Sequence, residues 1–279
     1  MAGRALVLGG GGSSGIGWLS GLLYGLSEAG VRLDAADVVI GTSAGSSVGA
    51  QLSAGTTQQL YERQLAAPTG EIPGRLGRAL MLRYVLTALT SRTPEAYGRR
   101  MGRMALAART PDEETRRAAI GSRLVAAEWP ARDLLVPAVD TATGELRVFG
   151  RDSGVSLLDA VGASCAVPGV WPPVTIEGRR FIDGGVHSTT NAHLAEGYDR
   201  VVVLAPMPRG GGPLASASDQ ARRLAERGAR TLVVAPSEEA RRSFGSNPLD
   251  PAVRAAAARA GREQARAHVA AVGEVWGSH

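Results

Sequence analysis

Three short stretches of the chain carry residues able to do chemistry. The first is Gly41-Thr42-Ser43-Ala44-Gly45. It follows Val38-Val39-Ile40, a β-branched run that reads as a buried strand, and precedes Ser46 to Leu52, small and apolar enough to begin a helix. Gly-x-Ser-x-Gly between strand and helix is the setting in which a serine hydroxyl is exposed at the tip of a sharp turn. Gly41 and Gly45 lack Cβ atoms, so strand and helix can close on each other while Ser43 takes an unfavourable backbone conformation. Bare, the same pattern also describes a small-residue helix start in a chain rich in Gly, Ala and Ser. The flanking strand and helix favour the nucleophile.

The second stretch is Gly9-Gly10-Gly11-Gly12-Ser13-Ser14-Gly15-Ile16-Gly17. It is expected as a loop between a strand, Arg4 to Leu8, and a helix running from Trp18 to Ala29 and ending at Gly30. Such a turn offers free backbone N–H groups beside the positive end of a helix dipole. Two chemistries use that: cradling a dinucleotide pyrophosphate, and binding the oxyanion formed when a serine attacks an ester. Gly10-x-Gly12-x-x-Gly15 fits the dinucleotide fingerprint, with Asp34 or Asp37 as the ribose ligand. The segment also looks like the cofactor turn of short-chain dehydrogenases, so an NAD(P)-dependent oxidoreductase is the alternative. That family depends on a Tyr-x-x-x-Lys pair, however, and all 31 basic residues here are arginine.

The third stretch is Asp183-Gly184-Gly185, which by residue type alone is a turn. A Ser-acid-His triad would draw on His187, His193, His268 or His279. His268 lies in an Ala/Arg helix and His279 ends the sequence, so neither has a loop to aim it at Ser43. His187 could line the site, although a solvated loop histidine is the simpler reading. No His-x-x-x-His or Cys-x-x-Cys spacing suggests a metal site. Cys165, the only cysteine, reads as a small buried apolar residue, excludes an internal disulfide and suits a reducing compartment.

The elements that must position these groups alternate along the chain. Further strands are expected at 134–139, 145–149, 174–176, 180–182, 201–204 and 231–234, with helices at 156–166, 217–228 and 251–275. Alternating strands and helices give an α/β class with a mostly parallel sheet covered on both faces. From Thr56 to Pro130 the texture turns to helical patches broken by Pro68, Pro73, Pro94 and Pro111. There Leu76, Leu80, Tyr84 and Ala88 share one stripe, with Met81, Val85 and Leu89 beside it and Arg75, Arg78 and Arg83 interspersed. The expected role is a helix packed on the core; the second reading is a lid or a membrane-contacting helix. One domain spanning 1–279, with a helical insertion at about 56–130, accommodates all of this.

With these pieces in order, the chain resembles the patatin-like phospholipase family. The resemblance rests on the glycine loop, Gly41-Thr42-Ser43-Ala44-Gly45, Ala163-Ser-Cys-Ala-Val-Pro168 with Pro172-Pro173, and Asp183-Gly184-Gly185. It implies a three-layer α/β/α fold with a mostly parallel central sheet, and a lipid acyl hydrolase of the phospholipase A or lysophospholipase kind with no cofactor. It further implies a dyad of Ser43 and Asp183, and backbone donors from Gly10, Gly11, Gly12 and Ala44. Gly15, Gly41, Gly45, Gly184 and Gly185 complete the motifs. Two departures stand out: Ser14 occupies the place of the family's basic residue before the last loop glycine, and Asn191 is followed by Ala192 where proline is common.

A net charge of +5 and 44 % hydrophobic residues describe a globular protein with a mild preference for anionic partners. The arginines are scattered and aromatic residues make up only 4 %, which argues against a nucleic-acid surface. Met1-Ala2-Gly3-Arg4 runs straight into a strand, and no apolar run approaches the ~20 residues of a membrane span. The expectation is a cytoplasmic protein acting on a lipid or acyl ester, with peripheral membrane contact; a non-catalytic lipid-binding protein on the same fold is the third reading.

Overall fold

The computed structural model describes residues 3–52, 54–67, 71–125 and 128–277. His279, Pro68 and parts of the expected insertion (68–70 and 126–127) lie outside them. The strands are β1 (Arg4–Leu8), β2 (Val38–Gly41), β3 (Asp133–Asp140), β4 (Leu146–Phe149), β5 (Val174–Ile176), β6 (Arg179–Asp183), β7 (Arg200–Leu204) and β8 (Arg230–Val234). They form one sheet in the order β5-β6-β3-β2-β1-β7-β8, with β4 also on β3. The pairs β3–β2, β2–β1, β1–β7 and β7–β8 are parallel, whereas β4, β5 and β6 join antiparallel.

The described helices are α1 (Gly12–Glu28), α2 (Ala44–Leu52), α3 (Thr57–Leu65), α4 (Arg78–Leu89), α5 (Pro94–Leu106), α6 (Glu113–Gly121), α7 (Leu157–Ser164), α8 (Ala217–Glu226), α9 (Glu238–Ser243), α10 (Arg254–Ala265) and α11 (Val269–Trp276). The central strands are apolar on both faces, as a doubly covered parallel sheet requires. Leu6, Leu8, Val39 and Val202 meet Leu19, Leu22, Ala257 and Trp276 on one side. Ala5, Val7, Val38, Ile40, Val201 and Val203 meet Ala192, Ala195, Ala217 and Leu224 on the other. That arrangement is the three-layer α/β/α fold expected from the resemblance. No described helix is long and apolar enough to cross a membrane.

Three expectations are corrected. The first helix starts at Gly12, not Trp18, so most of the expected loop, Gly12 to Gly17, is helical. The reason is tertiary: a Cβ on Gly17 or Gly21 would collide with the carbonyl oxygens of Arg254 and Ala258, so these glycines let α1 and α10 pack backbone to backbone. Close packing there overrides poor helix propensity. The closing helix is also not continuous; 3₁₀ turns at Pro251–Val253 and Arg266–His268 bracket α10. Finally, α4 is not packed into the core. None of its residues is buried, and only Leu80, Tyr84, Thr87 and Ala88 are even half-buried. A helix closing against another backbone has no room to relax, so Gly21→Ala should cost about 2–3 kcal/mol of stability in urea unfolding. A loss below 1 kcal/mol would show that the α1–α10 seam is loose.

Candidate active site

Ser43 is separated from the end of β2 by Thr42 alone and stands immediately before α2, with φ of +52°. The left-handed region costs a non-glycine residue energy, and strain of this kind persists only where surroundings impose it. Here they do. The Ser43 N–H donates to Ser164 Oγ at 2.9 Å, while its carbonyl accepts from Ser46 Oγ at 2.7 Å and from the Cys165 thiol at 3.3 Å. A Cβ on Gly45 would run into the Leu8 carbonyl, so only glycine lets α2 start this close to β1.

Asp183 ends β6, and β3 is the element that brings it to Ser43. Residues 133–135 of β3 pair with β2, and residues 138–140 pair with β6, placing Asp183 opposite Ala138. Ser43 Oγ donates to Asp183 Oδ2 at 2.7 Å across 140 residues of sequence. Asp183 Oδ1 accepts from the Gly185 N–H at 2.7 Å, which fixes the carboxylate plane. The carboxylate is buried, and that burial raises its pKa from 3.8 to about 6 against the lowering pull of the Ser43 and Gly185 hydrogen bonds. Burial also raises the pKa of the Tyr84 hydroxyl, with the Asp183 charge as second cause, and Tyr84 donates to the Pro168 carbonyl at 2.6 Å.

The glycine loop is placed beside the serine, but not all of its amides are free. Gly10 N–H donates to the Thr189 carbonyl at 2.8 Å, and Ser14 N–H donates to that of Pro248 at 3.1 Å. Gly10, expected among the oxyanion donors, therefore serves as a close neighbour instead: a Cβ there would stand 3.5 Å from Ser43 Cβ. Gly11, Gly12 and Ala44 have no partner for their N–H groups among the described residues. Gly12 opens α1 and Ala44 opens α2, so two helix N-termini converge on Ser43. Gly12, Ser43 and Ala44 line one pocket, together with Ser47, Cys165, Trp171, Arg116 and Arg123. Gly15 and Gly41 pack behind it, and Gly184 abuts the Pro137 carbonyl.

The described histidines point elsewhere. His187 Nδ1 meets Asn191 Oδ1 at 3.0 Å, His193 lies 3.4 Å from Gln220 Oε1, and His268 Nε2 is 3.2 Å from Gln264 Nε2. Asp37 accepts from the Arg4 N–H and Asp34 pairs with Arg32, both before the start of β2. That is the opposite end of the parallel strands from the glycine loop, so neither can serve as a ribose ligand there.

Sequence reasoning missed several members of this region. Asn191, noted only for the residue after it, adopts φ of +49° and is fully buried. Its Nδ2 donates to Thr42 Oγ1 at 3.0 Å and to the Gly184 carbonyl at 3.2 Å, tying the two turns together. Cys165 is buried as expected, but it braces the elbow through Ser43, Ser46 and Ser47. Arg116 was overlooked altogether. Its signal was legible: an arginine in register with Ala119 and Ile120 on the inner stripe of α6.

A family model described as "Patatin-like phospholipase" matches residues 6–196. Among solved structures the chain is similar to VipD from Legionella pneumophila, at 15% identity and a TM-score of 0.49, covering 97% of this chain and 67% of that one. It is also similar to the type III effector protein ExoU, at 17% identity and a TM-score of 0.40, covering 97% and 53%. The chain thus spans about two thirds and about half of those proteins' lengths. No curated protein matches it in sequence.

A carboxyl whose pKa rises on folding stabilises the fold when protonated and loses that contribution as pH climbs through about 6. Asp183→Asn should therefore be more stable than wild type at pH 8, by up to about 3 kcal/mol, with the gap closing toward pH 4. Chemical denaturation at the two pH values checks this; a gap that widens in acid refutes the buried-ion assignment.

Proposed function

Because the chain belongs to the patatin-like phospholipase family, whose model covers residues 6–196, we propose that it is a lipid acyl hydrolase with Ser43 as nucleophile and Asp183 as base. The observation that carries the reading is the 2.7 Å hydrogen bond from Ser43 Oγ to a buried carboxylate. Asp183 Oδ2 takes the hydroxyl proton as Oγ attacks the acyl carbonyl. Its pKa near 6 makes it a better acceptor than an ordinary aspartate, yet it stays ionised at neutral pH. The N–H groups of Gly11, Gly12 and Ala44 receive the oxyanion, where each donor is worth about 3 kcal/mol of transition-state stabilisation. Asp183 then protonates the departing alcohol, deprotonates a water, and the acyl-serine is hydrolysed.

Contact with a lipid surface would involve α4. Of the eight exposed large apolar side chains among the described residues, Met81, Leu82, Val85, Leu86 and Leu89 lie on this one helix. The exposed Arg75, Arg78 and Arg83 surround them, a composition suited to an anionic bilayer. The inner side of α4 touches the corner after the Cys165 segment, Leu80 on Gly169 and Tyr84 on Pro168, so a docked bilayer would lie close to the cavity mouth.

A fluorophosphonate probe should label the wild type and not Ser43→Ala. Turnover of a p-nitrophenyl ester should fall at least ~10²-fold in Asp183→Asn and stay within about tenfold when all histidines are replaced. The kcat/KM should drop about tenfold per pH unit below about 6. An unlabelled wild type would leave a non-catalytic lipid-binding protein. Leu82→Glu with Leu86→Glu should lower turnover of phosphatidylglycerol vesicles at least tenfold relative to a soluble ester; parallel changes would separate α4 from membrane contact.

A further inference from the structure

The cavity beside Ser43 is lined by a cation that forms no ion pair among the described residues. Arg116 on α6 is only 6 % exposed, and its guanidinium makes no hydrogen bond among the described residues; Nη1 in particular is buried without a partner. It lies on Trp171, whose ring centroid is 3.8 Å from Arg116 Cζ. Arg123, which lines the same cavity, pairs with Glu71 at 2.9 Å. Glu71 is shared with Arg254 through its other oxygen. Two guanidinium groups thus share a single carboxylate, and no ion pair involving Arg116 is found among the described residues. Burial, with Arg123 as second cause, pulls the Arg116 pKa down to about 10, so the group remains charged at neutral pH.

An unpaired buried charge is costly, and proteins keep one where a ligand completes it. The stacking geometry says which kind. A guanidinium lying on an indole has one face covered and its N–H edge free, and that edge is the fork that grips a tetrahedral oxyanion through two parallel hydrogen bonds. The surplus of positive charge suits a phosphate, which carries nearly two negative charges near neutral pH. The loop position where the resemblance places a basic residue is Ser14, whose hydroxyl donates to the Gly11 carbonyl at 3.1 Å. We propose that Arg116, held on Trp171, is a phosphate-binding residue of the cavity and selects acyl esters that carry a phosphate. The ester part of this inference rests on the hydrolase reading of Ser43; the anion part does not.

The two parts separate experimentally. Titration calorimetry of inorganic phosphate into Ser43→Ala, which needs no turnover, should show one site that weakens at least tenfold when Arg116→Gln is added. Arg116→Lys, which keeps the charge without the fork, should retain part of it, and it also serves if the glutamine variant does not fold. Phosphate binding that is absent from Ser43→Ala, or unaltered by both Arg116 substitutions, overturns the subsite whatever the enzyme hydrolyses. In the active protein, the kcat/KM ratio for lysophosphatidic acid over the matching monoacylglycerol should fall at least 30-fold in Arg116→Gln. Equal losses on both esters overturn the selectivity claim. Phosphate binding with no preference for lysophosphatidic acid assigns the site to a free phosphate and overturns the lipid headgroup as its source. Failure to hydrolyse either ester refutes the hydrolase reading and leaves the calorimetric result standing.

Discussion

The short hydrogen bond between Ser43 and Asp183 is the constraint to which the rest of the structure answers. Both partners are held in costly states: the serine by a backbone at φ +52°, the aspartate by burial that favours its neutral form. Neither state would persist on a loop alone. β3 contributes the rigid bar between them, lending its first residues to β2 and its last to β6. Asn191 then crosses the remaining gap, one amide bonding to both the Thr42 hydroxyl and the Gly184 carbonyl. Ser164, Ser46 and Cys165 close the polar groups of the elbow itself, so the strained turn leaves no Ser43 backbone group unpaired.

Glycine and small residues serve the same end by a steric route. Two helices must begin within reach of one hydroxyl, and α2 can do so only because Gly45 lies against the Leu8 carbonyl without a Cβ. α1 is pressed into place from outside, its glycines seated on the backbone of α10. The helix N-termini that result leave the amides of Gly11, Gly12 and Ala44 unspent, because the first residues of a helix have no carbonyl to bond. The stability that holds this arrangement is therefore drawn from packing remote from the hydroxyl.

Much of this was legible in residue order. The elbow showed itself through a β-branched strand, two glycines and a small-residue helix, all local signals. The sheet class followed from alternation, and the strand expectations at 174–176 and 231–234 lie within a residue of β5 and β8. What was not legible depends on distant chain. Whether the Gly10 amide is free is decided by Thr189, 179 positions away, and whether Gly12 to Gly17 are loop or helix is decided by α10. The stripe on α4 has the periodicity of a core helix, and periodicity cannot distinguish a helix covered by protein from one left bare. Arg116 was hidden for a related reason: an arginine reads as surface until the stripe it shares with Ala119 and Ile120 is seen to face inward.

Two charges of opposite sign then occupy the buried region around one hydroxyl, and their separation decides how the site works. The Asp183 pKa is set by burial and by its two hydrogen bonds, with no guanidinium among its causes. A cation in direct contact would have pulled that carboxyl back toward the ordinary range. The Arg116 pKa is instead set first by burial and then by Arg123, Cys165 and Glu71, with no contribution from Asp183. The protein thereby keeps a weak acid weak and a cation unpaired in the same buried region. Had Arg116 sat beside Asp183, the two would have formed an ion pair, and neither the raised carboxyl nor the unpaired cation would have been left.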